Sequence, residues 1–278
     1  MIERNAGLRR VVRSILVAIV LIVTLFPLYW FFLTSIKRKV DMFTIPPKFF
    51  FDATFEAYAK VFGPEFMETF LNSVITAGFG TVAAVVLGTM SGYAISRFKY
   101  AAGEDFMFFV LSTRMLPPMS IMVPLYIMYA ELGLSDSHFG MFLVYTMLGL
   151  GLSTWIMRGF FDGIPTSVEE AAFVNGYTRW QAFYKIMVPM VKGGIGTAAG
   201  ISFIFAWNDY TFASILTTRY AKTLPPRIAS ALDAMGIAWG QIAAAGFLLI
   251  IPVVIVFVLI RKHILMGMTF GVLGRAQK

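Results

Sequence analysis

The sequence predicts an all-α protein that crosses a membrane six times and forms a single transmembrane domain over residues 1–278. Two properties of the whole chain support this prediction: 58% of the residues are hydrophobic and only 14% are charged, and the mean hydropathy is +0.76. A soluble domain usually contains about 25% charged residues. The third observation is that the apolar residues form six long stretches, and about 20 such residues in a helix cross the roughly 30 Å hydrocarbon core.

The first predicted span follows a basic amino-terminal segment that contains Arg4, Arg9, Arg10 and Arg13. A signal peptide also begins with basic residues, but its apolar region is shorter and ends at a small-residue cleavage site. Neither feature occurs here, so we expect an uncleaved span that is slightly long and tilted. The six predicted spans cover residues 11–36, 70–96, 106–129, 139–157, 193–216 and 242–260.

Glycines and prolines distinguish the later spans. In the second span, Gly88 and Gly92 have the four-residue spacing of small residues that lets another helix approach closely.

Pro117-Pro118 and Pro124 interrupt the third span, and the carbonyls that they free are tolerated where they line a cavity or pack against neighbouring helices. After the fifth span, the loop 217–241 has enough apolar residues to fold as a compact lobe.

The distribution of charge predicts the orientation of the spans. With the amino terminus inside, the segments on the cytoplasmic side contain 14 Lys or Arg and 6 acidic residues, whereas the outer loops 37–69, 130–138 and 217–241 contain 8 of each. The net charge of +8 therefore lies on one side, as the positive-inside rule requires when both termini are cytoplasmic. A nucleic-acid partner is not needed to explain the charge. The orientation also places the segment 158–192 in the cytoplasm.

The polar segment between the fourth and fifth spans has the pattern of a helix, a sharp turn and a second helix. Pro165 can begin the first helix, and Ser167 followed by Glu170 fits a capping box. Gly176 suits the left-handed residue that ends it. Thr178 and Gln181 form a second capping box, and Pro189 is predicted to stop the second helix. An amphipathic loop that only rests on the membrane surface is the simpler alternative.

The same segment resembles the EAA signature of the permease subunits of bacterial ABC importers. Glu170-Ala171-Ala172 is followed at fixed spacings by Gly176, Ile186 and Pro189, with Val188 where the signature usually has leucine. In that family the segment is a coupling helix that docks in a groove of a cytoplasmic ATPase subunit. The resemblance implies that eight residues couple this chain to the ATPase, namely Glu169, Glu170, Ala171, Ala172, Asn175, Gly176, Ile186 and Pro189.

The sequence contains no G-x-x-x-x-G-K-[ST] motif, so we expect this chain to lack a P-loop for ATP phosphates and to be a transporter subunit rather than an enzyme. No cofactor is expected in this chain; the family implies that ATP and Mg are bound by the partner ATPase. With no cysteine and only His138 and His263, we expect no catalytic residues and no metal site.

Two further motifs resemble the carbohydrate importers of the maltose type. The run 205–209, Phe-Ala-Trp-Asn-Asp, is similar to the aromatic-Ala-Trp-Asn-acid element of those permeases, and the run 266–271 is similar to their Gly-Leu-Thr-x-Gly tail. The six-span layout matches the smaller permease of such systems, which have the type I ABC importer permease fold. The resemblance implies a sugar, polyol or sugar derivative as substrate and the bacterial cytoplasmic (inner) membrane as location. The implied partners are a second homologous permease in a heterodimer, two ATP-binding subunits, a periplasmic or extracellular solute-binding protein and the lipid bilayer.

Arg114 and Asp209 are the ionisable residues that fall within predicted spans, where a charge costs about 2.5–3.5 kcal/mol on insertion scales. They either pair with one another or with backbone carbonyls, or they line the substrate path together with Trp207 and Asn208. An ion-coupled secondary transporter is the rival function, but such carriers usually contain several intramembrane acids or paired broken repeats. A membrane-bound enzyme would need a cluster of catalytic groups in the spans, and neither histidine has an obvious partner.

Overall fold

The computed structural model describes residues 2–98, 103–112, 115–233 and 236–273. In this part of the chain, nearly all regular structure is helical. The helices are, in order, α1 (Ile2–Ile36), α2 (Lys39–Met42), α3 (Glu56–Val61), α4 (Pro64–Arg97), α5 (Gly103–Ser112), α6 (Pro118–Glu131), α7 (His138–Asp162), α8 (Thr166–Val174), α9 (Arg179–Ala182), a π-helical segment (Phe183–Met187), α10 (Val188–Met190), α11 (Lys192–Trp207), α12 (Thr211–Leu216), α13 (Leu224–Ala229) and α14 (Trp239–Leu273). Two short antiparallel strands, β1 (Leu232–Asp233) and β2 (Gly236–Ile237), precede α14.

Among the described residues, four single helices are long and apolar enough to cross a membrane: Arg10–Ile36, Pro64–Arg97, His138–Asp162 and Trp239–Lys262. A fifth candidate consists of Arg179–Met190 and Lys192–Trp207, joined at a bend of 73°. The predicted third span corresponds to α5 and α6, with Pro117 immediately before α6 and Pro124 inside it. The positions and the count of the six predicted spans, and the side on which each terminus lies, stay predictions.

The chain divides into two compact units. The first comprises Met1–Pro64 and Ile228–Ile250. Within it, the ring of Phe32 lies 5.1 Å from the ring of Phe247, so α1 packs against the beginning of α14. Ser35 Oγ and the hydroxyl of Tyr58 are 2.8 Å apart, and this hydrogen bond ties the end of α1 to α3.

The second unit comprises Glu65–Arg227 and Ile251–Lys278, and within it α4 packs against α7. A Cβ atom added at Gly88 would lie 2.5 Å from Ser153 Cβ, and one at Gly92 would lie 2.8 Å from the backbone nitrogen of Arg158. Both glycines therefore let the α4 backbone contact α7 directly, which is the role predicted for their spacing. Ser153 Oγ also lies 3.2 Å from Ser202 Oγ on α11, so α7 is packed between two helices.

The segment after α12 is held by one carboxylate. Asp136, in the turn before α7, accepts hydrogen bonds from the backbone N–H groups of residues 218–221 and from the hydroxyl of Thr218, at 2.9–3.1 Å. Asn72 Nδ2 donates to the carbonyls of Tyr220 and Lys222 at 2.9 and 3.1 Å. The first part of the predicted lobe 217–241 is therefore an ordered turn.

Asp136→Asn should loosen this turn at neutral pH. Burial raises the pKa of Asp136, but the hydrogen bonds donated by Tyr220, Ala221 and Thr218 outweigh that effect and hold the pKa at about 2, below the ordinary 3.8. The carboxylate therefore stabilises the turn above about pH 4, and this stabilisation is lost as the pH falls through 2. The variant should show faster amide hydrogen exchange at residues 218–221 at pH 7. Asp52→Asn, at an exposed carboxylate, is the control, and unchanged exchange in Asp136→Asn would contradict the assignment.

Candidate coupling site

The polar segment between α7 and α11 folds as a helix, a corner and a second helix, as predicted. Its first helix, α8, begins at Thr166, and Pro165 is the N-cap residue, whose side chain makes no capping hydrogen bond. The predicted capping box of Ser167 and Glu170 is therefore wrong. It fails because Ser167 already lies inside the helix, where its backbone has the helical conformation that an N-cap residue lacks.

The corner depends on Asn175 and Gly176. Gly176 has a φ of +81°, in the left-handed region that favours glycine, and its N–H donates to the carbonyl of Phe173 at 3.0 Å. Asn175 Nδ2 donates to the carbonyl of Ala171 at 2.7 Å. These two residues cover the carbonyls at the end of α8 and turn the chain away from it.

The second helix begins as predicted and continues beyond the predicted end. Thr178 and Gln181 form the reciprocal capping box, with hydrogen bonds of 2.9 and 3.3 Å. Pro189 lies inside α10 and does not stop the helix, which ends at Met190 before the 73° bend. The segment Phe183–Met187, which includes half-buried Ile186, has the wider turns of a π-helix. Because a proline has no N–H to donate, Pro189 is compatible with this altered bonding, and the chain changes direction only after it.

The four predicted coupling residues that lie on α8 divide between two faces of this helix. Glu169 and Ala172 are buried against the rest of the chain. Glu170, Ala171 and Val174 form the opposite face, where Val174 is 88% exposed. Beyond the corner, Trp180 is 64% exposed. The segment thus presents apolar side chains and one carboxylate away from the chain, an arrangement typical of a surface that contacts another protein.

Glu169 is held by two residues of α4. Arg97 Nε lies 2.5 Å from Glu169 Oε2, and the hydroxyl of Tyr93 donates to Glu169 Oε1. The side chains of Arg97 and Glu169 are 9% and 7% exposed, so the ion pair is buried. Breaking such a pair by removing one partner costs about 3–5 kcal/mol, because the other charge stays buried and unpaired. Glu169 is therefore fixed inside the chain.

The chain matches the family model described as binding-protein-dependent transport system inner membrane component over residues 84–269. This match covers the end of α4, the whole segment from α8 to α10, and the helices on both sides of it. The chain belongs to this family. It is therefore a multi-pass inner-membrane transport component, and the predicted resemblance to the permeases of bacterial ABC importers is confirmed.

Individual relatives of the family match almost the whole chain. The chain is 34% identical to the trehalose transport system permease protein of Mycobacterium tuberculosis (strain CDC 1551 / Oshkosh) over 254 residues, which are 89% of this chain and 91% of the relative. It is 30% identical to the trehalose/maltose transport system permease protein of Thermococcus litoralis over 97% of this chain and 99% of the relative. The confirmed family and these relatives identify the chain as a transporter permease.

A solved structure shows the fold. A crystal structure of a bacterial ABC transporter involved in the import of the acidic polysaccharide alginate contains a chain that superposes with a TM-score of 0.74 at 23% sequence identity, covering 93% of this chain and 97% of that chain. The all-α fold of the type I ABC importer permeases is thereby confirmed for this member of the binding-protein-dependent transport family.

Three of the residues predicted to line the substrate path, Trp207, Asn208 and Asp209, lie where this permease interrupts its fifth predicted span. Trp207 is 1% exposed and packs between the rings of Phe70 and Phe203, with centroids at 5.7 and 5.6 Å, so it presents no surface to a solute in this conformation. Asn208 is exposed, and its side chain donates to the carbonyl of Ile204. Arg114 lies outside the described residues.

Asp209 has a structural role that the sequence did not reveal. Its carboxylate accepts hydrogen bonds from the N–H groups of Phe212 and Ala213 at 3.3 and 3.1 Å, and the hydroxyl of Tyr145 lies 3.4 Å away. The predicted continuous span 193–216 is therefore two helices, α11 and α12. The first N–H groups of a helix have no acceptor within the helix, and at the beginning of α12 the carboxylate of Asp209 is their acceptor.

Sequence reasoning missed Arg97 and Tyr93. Both lie at the end of α4, more than 70 residues from Glu169 in sequence, and no local pattern links positions so far apart. The available signal was indirect: Glu169 and Glu170 are adjacent on a helix, so only one of them can face the protein interior and the other faces outward. A carboxylate that is buried inside the protein needs a basic partner. Arg97 directly follows the second predicted span and is a basic residue that could fill this role.

Proposed function

We propose that this permease is the smaller, six-span membrane subunit of an ATP-driven importer of a sugar, polyol or sugar derivative. Both termini would lie in the cytoplasm, and a second, homologous permease would form the other half of the substrate path. The substrate class rests on the relatives, whose names specify trehalose and maltose transport. Asn208, which is exposed, and Arg114 are the candidates on this chain for contact with the substrate.

The outward face of α8 is the observation that supports coupling to an ATPase. Glu170, Ala171 and Val174 are exposed on a helix whose other face is fixed to the chain. An apolar surface on a polar connecting segment is costly to leave in water, and burying it against a partner would recover roughly 25 cal/mol per Å². Two ATP-binding subunits would supply this partner, one for each permease, and would bind the ATP and Mg that drive import.

The substrate would reach the permease from a solute-binding protein on the outer side. The family description names binding-protein-dependent transport. The turn at residues 217–224, which Asp136 and Asn72 hold, is the ordered part of the proposed outer lobe. A rigid turn presents a constant shape to a binding protein. It would therefore suit a surface on which the solute-binding protein docks before it releases the substrate.

Substitution on the outward face of α8 should release the ATPase. In a complex purified through a tag on the permease, Glu170→Lys and Val174→Asp should each reduce the amount of co-purified ATPase subunit, since each places an unfavourable charge at the proposed contact. Lys192→Glu, also a charge reversal at an exposed position of the same segment, is the control and should retain the ATPase. Full retention by both α8 variants, with normal insertion of the chain, would refute the proposed docking face.

A further inference from the structure

The carboxylate of Glu169 lies where α4, α7 and α8 meet. It belongs to α8, yet its hydrogen-bond donors, Arg97 and Tyr93, belong to α4. At 7% side-chain exposure it has no free surface for a partner chain, unlike its neighbour Glu170. The two adjacent acids therefore have different roles: Glu169 makes contacts within this chain, whereas Glu170 is available to a partner chain.

Arg97 links this carboxylate to a third helix. Its Nη2 donates to the carbonyls of Phe161 and Ile164, at 3.0 and 2.9 Å, while its Nε faces Glu169. Carbonyls at the end of a helix have no partner within that helix, and an arginine donor satisfies them. A single planar guanidinium thus joins the end of α4 to the end of α7 and to α8, and its fixed geometry allows little relative sliding.

Tyr93 connects the same cluster to the π-helical segment. Its ring lies 4.7 Å from the ring of Phe183 and 5.4 Å from that of Phe161, and its hydroxyl donates to Glu169. Phe161 and Tyr93 belong to the buried core that also includes Met187 and Val191. Because this core is close-packed, the elements around it have few independent arrangements.

We propose that Arg97, Glu169 and Tyr93 form an internal strut, which makes α8 move as one rigid body with the adjoining ends of α4 and α7. Glu169 is a positioning residue in this proposal: it acts through α4 and contacts neither ATP nor substrate. The strut rests on the proposed function, because it transmits displacement of α8 by an ATPase to the membrane helices. Without the strut, α8 would shift relative to α4 and α7. The displacement caused by ATP binding would then not be transmitted to the helices that line the substrate path.

A distance measurement between α8 and α4 tests the strut. The chain contains no cysteine, so spin labels can be attached at two introduced cysteines. One replaces exposed Thr166 at the beginning of α8, which is not among the residues of the proposed docking face, and the other replaces exposed Val86 on α4. Pulsed electron spin resonance on the complete complex, without nucleotide and with ADP and vanadate, gives the distance distribution in two states. With the native strut, the distance should be the same in both states.

Glu169→Gln should shift or broaden this distance between the two states, because a neutral amide leaves Arg97 unpaired and loosens α8. Glu65→Gln is the matched control: it makes the same chemical change in an exposed ion pair with Arg227, at the other end of α4, and the distance should stay constant. Tyr93→Phe, which removes one hydroxyl and keeps the ring, should shift the distance in the same direction by a smaller amount and serves if Glu169→Gln does not assemble.

Two results would overturn the strut. One is a distance that changes between the two states with the native strut; the other is an assembled Glu169→Gln or Tyr93→Phe complex with the native distance in both states. Failure of the proposed function is recognised separately, because the unsubstituted permease would then not co-purify with an ATPase subunit.

Discussion

Gly88→Ala should weaken the packing of α4 against α7, whereas Gly78→Ala, ten residues earlier on the same helix, should not. An added Cβ at Gly88 would lie 2.5 Å from Ser153 Cβ and 2.9 Å from backbone atoms of Ser153 and Thr154. Backbone atoms cannot rotate away as a side chain can, so the two helices must move apart. Overpacking of this kind costs about 1–3 kcal/mol.

The same substitution at Gly78 meets no atom within 4 Å. Alanine also has a higher helix propensity than glycine by about 1 kcal/mol, so Gly78→Ala should be neutral or stabilising. The comparison therefore separates helix packing from helix propensity. Heating the detergent-solubilised permease and measuring the fraction that remains monodisperse should give a lower midpoint for Gly88→Ala only. Equal midpoints for the two variants would show that α4 and α7 do not pack as described.

Gly176→Val should abolish coupling to the ATPase, and Gly176→Asn should preserve it. A valine at a φ of +81° is strained by about 1–2 kcal/mol, whereas asparagine enters the left-handed region more readily. No atom lies within 4 Å of an added Cβ, so the effect comes from the backbone and not from a steric clash. To relieve the strain, the corner would change its dihedral angles and redirect α8 relative to α9, and the ATPase would meet a displaced surface.

ATP hydrolysis by the purified complex and the amount of bound ATPase subunit measure this effect. Gly163→Val is the control, because Gly163 ends α7 with a φ of −74° and does not need the left-handed conformation. We expect the Gly176→Val complex to lose most of its activity, while the asparagine and control variants keep theirs. Normal activity in Gly176→Val would mean that the direction of α8 does not matter for coupling.

Local patterns predicted those features whose physical cause is local. The capping box of Thr178 and Gln181 and the left-handed Gly176 each depend on atoms within a few residues, and both occur as predicted. Gly88 and Gly92 were identified by spacing alone, since a close helix contact requires small side chains on one face. The identity of the contacted helix, α7, could not be predicted from this spacing.

The failures have two kinds of cause: competing local hydrogen bonds and helix starts that the pattern does not rank, and tertiary contacts that the pattern does not show. Ser167 and Glu170 have the spacing of a capping box, but α8 starts two residues too early for Ser167 to serve as its cap, because Pro165 is the N-cap residue. The pattern predicts that Asp209 lies inside a continuous span, whereas its hydrogen bonds to N–H groups accompany the break between α11 and α12. The adjacent acids Glu169 and Glu170 are equivalent in sequence and differ only in which side of α8 meets Arg97.

In the proposed coupling, the 73° bend after Met190 sets the direction in which a displacement of α9 and α10 acts on α11. The cosine of 73° is about 0.3, so only about three-tenths of a displacement along the α9–α10 axis is directed along α11, and the larger component is perpendicular to it. Axial translation would carry apolar side chains of α11 into water at one end, at a cost of about 25 cal/mol per Å² of newly hydrated surface. A perpendicular displacement keeps each side chain at its depth in the bilayer. In the proposed coupling, the bend would therefore turn a displacement along α9–α10 into a mainly lateral displacement of α11, which requires little rehydration of its side chains.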